Sequence, residues 1–187
     1  RVSRRQRQMC IRDRLNFSKN STIIDIGCGL GGPARYFSKR FNCNVYGIDI
    51  TEAFIEIGNY FNKLTHIDHQ VTLLKGDGEN LPYQTEFFDG AVSQHVTMNI
   101  EDREQFFNEA FRVLKKGAIF GFSEHGLGTR GDPIFPLPWA DNENMSFLKT
   151  PEYTKSLLKK IGFKNIEIIS TGETVSYTHL TLPTTNS

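Results

Sequence analysis

Hydrophobic and polar positions along the chain fall into two alternating patterns. Short apolar runs at 22–26, 44–50, 71–75, 88–93, 118–123 and 164–170 have the length and β-branched content of buried strands. Between them, apolar residues three or four positions apart predict helices over 33–40, 51–64, 102–114 and 150–161. Alternating strands and helices predict an α/β fold, Rossmann-like, with a doubly wound, mostly parallel sheet.

Boundary residues sharpen several of these elements. Thr51 is expected to cap a helix that carries Phe54, Ile55, Ile57, Phe61 and Leu64, and Asp102 to cap the next one. Lys115-Lys116-Gly117 is expected to end that later helix before the fifth strand. Residues 126–149 hold turn signals and three prolines, which predicts an insertion loop rather than a linker. Long ordered loops often carry function.

The first apolar run breaks directly into a glycine-rich turn. Gly27, Gly29 and Gly31 allow positive φ and close approach of the backbone to a ligand, so the turn is a candidate ligand cradle. The spacing also fits the dinucleotide fingerprint, because Asp49 follows Gly27 by 22 residues, near the usual distance of about 20. Asp25 favours another ligand, since a carboxylate at this strand end repels a pyrophosphate and attracts a cation.

The string Asp25-x-Gly27-x-Gly29-x-Gly31 resembles the first motif of the class I S-adenosylmethionine-dependent methyltransferases. Their cofactor carries an ammonium and a sulfonium and no phosphate. The resemblance implies that Asp25 faces the ammonium, that Gly27 and Gly29 pass under the methionine part, and that Asp49, with Ile50 beside it, binds the ribose hydroxyls. No metal is implied.

Five polar residues stand at or just past the ends of successive strands, and parallel strands bring such ends to one crevice. They are Asp25, Asp49, Asp77, Gln94 and Glu124. The resemblance implies that Asp77 takes the adenine amine, with the Gly78 and Glu79 backbone on the ring edge, and that Gln94 contacts the methionyl portion.

The run 94–100 and the later Phe135-Pro136-Leu137-Pro138-Trp139-Ala140 look like a narrower subgroup, the sarcosine and dimethylglycine N-methyltransferases. The implied reaction transfers a methyl group to a small-molecule acceptor, such as one of these amines. Trp139, Phe135 and Arg130 are available to hold the acceptor, since aromatic faces attract a developing quaternary ammonium. His95 is the candidate to hold or deprotonate it, with Glu124 and His125 as second choices.

Two other functions stay open at this point. One is a nicotinamide-dependent oxidoreductase, which Asp25 and the absence of a Ser, Tyr and Lys constellation disfavour. The other is a methyltransferase-like protein that binds the cofactor without turning it over. Cys28, inside the turn, is either a nucleophile or a small filler residue, and no histidine near it in sequence would activate it.

Charge and composition are informative mainly for the two ends of the chain. The 187 residues carry a net charge of +1, yet six arginines against one aspartate give residues 1–14 a charge of +5, which leaves −4 for the rest. Residues 1–14 and 175–187 resemble translated sequencing adapter, so we expect two non-native tails around a methyltransferase domain at 15–174, truncated near its last strand. Neither a membrane span nor a nucleic-acid partner is expected, and the cytoplasm is the default location.

Overall fold

The computed structural model describes residues 15–128, 131–170 and 177–182. Within them the strands are β1 (Thr22–Ile26), β2 (Asn44–Asp49), β3 (Val71–Lys75), β4 (Phe88–Gln94), β5 (Leu114–Glu124), β6 (Lys164–Ser170) and β7 (Tyr177–Leu182). The helices are α1 (Gly32–Phe41), α2 (Glu52–Leu64), α3 (Arg103–Val113) and α4 (Pro151–Ile161), with short 3-10 turns at Thr97–Asn99 and Glu143–Met145.

The strands form one sheet in the order β3-β2-β1-β4-β5-β7-β6. The first five strands of that order run parallel, and β7 is antiparallel to both of its neighbours. The chain moves outward from β1 to β3, then returns to place β4 on the other side of β1. This reversal creates a crevice at the carboxyl ends of β1 and β4, where ligands of such sheets bind. The predicted doubly wound α/β fold is confirmed.

Two apolar layers enclose the sheet. On one face α1 and α2 pack through Ala34, Phe37 and Ile55, and on the other α3 and α4 pack through residues such as Phe106 and Leu158. Alternate residues of β1 serve the two layers, since Ile23 belongs to the first and Ile24 to the second. Cover on both faces explains why the last four residues of β1, in the middle of the parallel part of the sheet, are all buried.

The predicted helix starts are confirmed for α3 and α4. Asp102 accepts a hydrogen bond from the Gln105 N–H, and the Thr150 hydroxyl accepts one from the Tyr153 N–H. The expectation for the end of α3 was wrong. The helix stops at Val113, and β5 begins at once with Leu114, so Lys115 and its neighbours extend the strand.

The apolar residues of α2 do not all lie on one buried face of the helix. Ile55 is buried against the sheet, whereas Phe54, Ile57, Phe61 and Leu64 are 38 to 57% exposed. The residues that pack beneath the helix beside Ile55 are Gly58 and Asn62. Asn62 fits there because its side-chain amide donates to the Val71 carbonyl at 3.1 Å and its oxygen accepts from Arg35 at 2.9 Å.

Strand β7 lies within the segment 175–187 that the sequence marks as a non-native tail. It occupies the position between β5 and β6, pairing with Phe120–Glu124 on one side and with positions from Lys164 to Ser170 on the other. The backbone groups facing that position are thereby paired. The foreign origin of both tails stays a prediction, and residues 1–14 and 129–130 lie outside the described part of the chain.

Candidate functional site

A cavity of about 490 Å³ opens at the carboxyl ends of the parallel strands. This size is typical of small-molecule and cofactor sites. Its lining comes from the ends of β1 and β2, from the segments that follow β1, β2, β3 and β4, and from Phe54 of α2 and Phe106 of α3. The lining residues are Ile26, Gly27, Ile48, Asp49, Ile50, Thr51, Phe54, Gly76, Asp77, Gly78, Glu79, His95, Val96, Asn99, Ile100 and Phe106.

The glycine turn after β1 borders this cleft through Gly27. Gly27 and Gly29 have φ of 75° and 53°, in the left-handed region that favours glycine. The Gly27 N–H donates to the Ile48 carbonyl at 2.8 Å, which ties the turn to β2. A Cβ at Gly27 would lie 2.2 Å from the Val96 side chain. Position 27 therefore requires glycine for both backbone conformation and space.

Asp49 connects the end of β2 to the glycine turn. Its Oδ2 accepts from the Gly29 N–H at 2.8 Å, and its Oδ1 accepts from the Thr51 N–H at 2.9 Å. These bonds fix the carboxylate in one orientation at the cleft wall. Each carboxylate oxygen has two lone pairs, so each can still accept one hydroxyl of a ligand.

The turn after β3 orients a second carboxylate. Asp77 is exposed at the cleft, and its Oδ1 accepts from the Glu79 N–H at 2.9 Å. The Glu79 carbonyl accepts from the Gln105 side chain at 2.9 Å. Both backbone groups of Glu79 therefore hold the turn, and the placement of the Gly78 and Glu79 backbone on a ring edge stays a prediction. Desolvation, and then the charges of Asp77, Asp102 and Glu101, raise the pKa of the Glu79 carboxyl.

Apolar side chains form the sides of the cleft between these carboxylates. Ile50, 70% exposed, and Phe54, 45% exposed, form one lip. On the opposite side Ile100 lies beside the ring of Phe106, which packs so closely under Gly78 that a Cβ there would be 2.9 Å away. A slot with apolar walls and carboxylates along its edge suits a flat, hydrogen-bonding ring joined to a diol.

The other predicted strand-end residues lie outside the lining of the cavity. Asp25 is 1% exposed in β1, close enough to Cys28 that its charge, after burial, raises the pKa of that thiol. Gln94 is half-buried at the end of β4, and its amide nitrogen and oxygen are buried without a hydrogen-bond partner among the described residues. Asp49 and Asp77 line this cavity, and the convergence of all five strand ends on one ligand stays a prediction.

Three aromatic rings continue from the cleft to the insertion loop. His95 has a positive φ of 59°, and its N–H donates to the Ser123 carbonyl at 2.7 Å. Its ring lies 4.9 Å from that of His125, which is in turn stacked on Trp139 at 4.7 Å and 7°. Trp139 donates through Nε1 to the Ser146 hydroxyl at 3.2 Å. The structure thus joins residues predicted separately, whereas Arg130 lies outside the described residues.

Glu124 has a different environment from the one expected of a catalytic acid. It is 1% exposed, and its Oε2 lies 2.6 Å from Nη1 of Arg103, itself 2% exposed. Thr97 and Thr154 also donate hydroxyl hydrogen bonds to its carboxylate. Arg103 further donates to the carbonyls of Thr97 and Phe147. Glu124 therefore holds the 3-10 turn, the insertion loop and α4 together, and we do not retain it as a catalytic candidate.

Sequence reasoning missed several members of this region. Arg103 follows a helix cap, where an arginine is normally a surface residue, and no sequence signal marks it as buried. Asn99, Ile100 and Phe106 line the cleft, but the sequence pattern predicts only loop and core positions for them. Cys28 is 4% exposed and burial raises its thiol pKa, which fits the filler interpretation rather than a nucleophile.

A family model described as "Methyltransferase domain" matches residues 24–122, from the first strand through most of the fifth. This match covers the glycine turn, both cleft carboxylates and His95. The chain belongs to this family.

Named relatives differ in their acceptors. The chain is 29% identical over 147 residues to a sarcosine/dimethylglycine N-methyltransferase of Halorhodospira halochloris, a match covering 79% of this chain and 53% of that protein. It is 32% identical over 111 residues to a sterol 24-C-methyltransferase of Candida albicans, covering 59% of this chain and 30% of that protein. The chain thus spans about a third to a half of the length of these curated relatives.

Solved structures show the same fold. A phosphoethanolamine N-methyltransferase 2 of Haemonchus contortus, solved in complex with S-adenosyl-L-methionine, superposes with a TM-score of 0.77 at 24% identity. The match covers 88% of this chain and 38% of that one.

Among the described residues, no helix has both the length and the apolar character that a membrane span requires.

Proposed function

We propose that this methyltransferase domain binds S-adenosylmethionine and transfers its methyl group to a small-molecule amine of the sarcosine or dimethylglycine type. The observation that carries the cofactor part is Asp49, held by the Gly29 and Thr51 N–H groups with one lone pair left on each oxygen. Two such acceptors match the two hydroxyls of a ribose.

Other residues fit the remaining parts of the cofactor. Asp77 has its Oδ1 fixed by the Glu79 N–H, which directs the carboxylate toward an exocyclic amine at the edge of the slot. Gly27, which tolerates no Cβ, allows the backbone to pass under the amino-acid part. The buried amide of Gln94, without a partner among the described residues, offers a donor and an acceptor to that part. Asp25 lies outside the cleft lining, and its action on the ammonium is part of this proposal.

S-adenosylmethionine supplies an electrophilic methyl group on a sulfonium. Methyl transfer is an in-line displacement, so the protein contributes mainly by positioning the acceptor and keeping its nitrogen unprotonated. His95 lies in the cleft wall and is assigned to hold or deprotonate that nitrogen. Trp139, fixed by His125 and Ser146, provides an aromatic face for the cationic product, with Phe135 and Arg130 of the same loop as further contacts.

The amine acceptor is supported by the Halorhodospira relative, a sarcosine/dimethylglycine N-methyltransferase whose match extends over 79% of the chain. A sterol is the second candidate, favoured by the 32% identity to the Candida protein. That match covers 59% of the chain, less than the match to the Halorhodospira protein.

The experiment has two stages. Thermal unfolding with S-adenosylhomocysteine or with NAD tests the cofactor, and we expect stabilisation by the first alone. Mass spectrometry of reactions with S-adenosylmethionine and glycine, sarcosine, dimethylglycine or a Δ24 sterol tests the acceptor. Stabilisation without any methylated product from these would show a domain that binds the cofactor without acting on these compounds, and stabilisation by NAD would refute the cofactor assignment.

A further inference from the structure

Helix α2 carries an apolar stripe on its outward side. Phe54, Ile57, Phe61 and Leu64 are spaced three, four and three residues apart and are 38 to 57% exposed, and Tyr60 beside them is 60% exposed. Leu30, from the glycine turn next to Gly58, adds a further 41% exposed side chain. Contiguous apolar surface of this kind marks an interaction site.

The spacing of the stripe identifies the form of its partner. Apolar residues at intervals of three and four occupy the a and d positions of a heptad, which insert as knobs into the holes of a facing helix. The residues buried under the helix against the sheet are Ile55, Gly58 and Asn62. The stripe is therefore separate from the face by which α2 packs on its own domain.

We infer that this stripe is the contact surface of a homodimer, in which α2 of one copy packs antiparallel to α2 of a second copy. A twofold axis passing near residue 59 places Phe54 opposite Leu64 of the partner subunit and Ile57 opposite Phe61 of the partner subunit. Each layer then combines a large ring with an aliphatic side chain, and the same patch serves both copies, as a closed twofold interface requires.

Charge on the flank of the helix agrees with this arrangement. Glu56 is exposed in the first half of α2 and Lys63 in the second half. In the antiparallel pair each Glu56 lies near Lys63 of the other copy, so opposite charges face each other. The two helix dipoles also point in opposite directions, which is favourable. A parallel pair would align like charges. The balance of acidic and basic residues also disfavours an anionic membrane surface, which selects helices rich in Lys and Arg.

The size of the patch sets the expected affinity. A 13-residue helix is about 20 Å long, and two such stripes bury on the order of 1,000 Å² in total, at the lower end of specific interfaces. We therefore expect a monomer–dimer equilibrium with a dissociation constant in the micromolar range rather than an obligate dimer.

Sedimentation velocity of the full chain from about 1 to about 200 μM tests the dimer, since this range brackets micromolar dissociation. We expect concentration-dependent dimers that Ile57→Lys weakens at least tenfold. The matched control is Met145→Lys, because Met145 is 49% exposed but lies in the 3-10 turn Glu143–Met145, outside α2.

Wild-type chains that stay monomeric throughout the range would overturn the inference, as would open-ended aggregation. Binding of monomers to vesicles of phosphatidylcholine and phosphatidylglycerol would show a lipid surface instead.

A mixing experiment tests the antiparallel geometry. Ile57→Lys and Phe61→Glu each place a charge in the stripe, and each variant alone should be monomeric. Phe61→Glu is tolerated by the fold because the Arg35 guanidinium already lies 5.7 Å from the Phe61 ring centroid. Mixed together, the two variants should form a heterodimer. In one layer the new lysine at position 57 faces the new glutamate at position 61, and in the other layer Ile57 still faces Phe61. A mixture that remains monomeric, while the wild type dimerises, would overturn this geometry. None of these readouts depends on methyl transfer.

Discussion

The Gly29 N–H donates to Asp49 Oδ2 at 2.8 Å, so the glycine turn and the end of β2 are one unit. We predict that Asp49→Ala weakens S-adenosylhomocysteine binding at least tenfold, because charge-assisted hydrogen bonds are worth about 1.5 to 3 kcal/mol each. Calorimetric titration measures the loss. Asp49→Asn keeps the side chain's shape and one acceptor oxygen and should lose less. Unchanged affinity in the alanine variant would contradict the ribose site.

His95 is predicted to act on turnover rather than on cofactor binding. Its left-handed backbone, with φ of 59°, makes asparagine a better replacement than alanine, because asparagine tolerates this region. We expect His95→Asn to lower kcat on the order of a hundredfold, within the usual range for a general base, with little change in S-adenosylhomocysteine affinity. Equal losses in both measurements would make His95 a cofactor-binding residue.

His125 is predicted to hold the insertion loop through Trp139. The chain has a single tryptophan, so its fluorescence reports this stack alone. His125→Ala should shift the Trp139 emission toward that of an exposed indole and raise the KM for the acceptor several-fold. The matched variant His125→Phe keeps a ring at 125 and should retain a buried emission. If both variants have the wild-type emission spectrum, the environment of the Trp139 indole does not depend on the ring of His125.

Glu109 is predicted to contribute stability that depends on pH. The Arg112 hydrogen bonds lower the pKa of this carboxyl below its ordinary value of 4.5, aided by the Leu81 N–H, which donates to Oε2 at 2.8 Å. A carboxyl with a lowered pKa stabilises the fold above its unfolded pKa, and the contribution disappears as pH falls through the folded value. Glu109→Gln should therefore lower the free energy of unfolding by about 1 to 3 kcal/mol near neutral pH, and the difference should shrink below about pH 4.

Denaturant unfolding at several pH values measures the effect of Glu109. The control is Glu104→Gln on the same helix, whose partner Lys160 is 67% exposed, so its loss should be within about 0.5 kcal/mol. A difference for Glu109→Gln that does not change with pH would mean that the carboxylate charge is not what stabilises the Leu81 loop.

Local sequence determined most of the fold and identified two carboxylates that line the candidate site. Strand bounds at β3 and β6 and the caps at Asp102 and Thr150 follow from residues within one or two turns, so pattern and propensity suffice there. Asp49 and Asp77 were identified because parallel strands bring their carboxyl ends to one edge, a rule that needs topology but no side-chain detail.

The tertiary structure alone decided the surroundings of each side chain. Glu124 ends a strand like Asp49 does, yet Arg103, 21 residues earlier in the chain, turns it into a buried ion pair. The apolar residues of α2 share a helical period, but which of them meet the sheet depends on how the helix is rotated against it. The ring contacts of His95 with His125 and of His125 with Trp139 likewise join three positions up to 44 residues apart, 95 to 139. Such contacts arise from packing between distant segments, and the order of residues along the chain carries no direct signal for them.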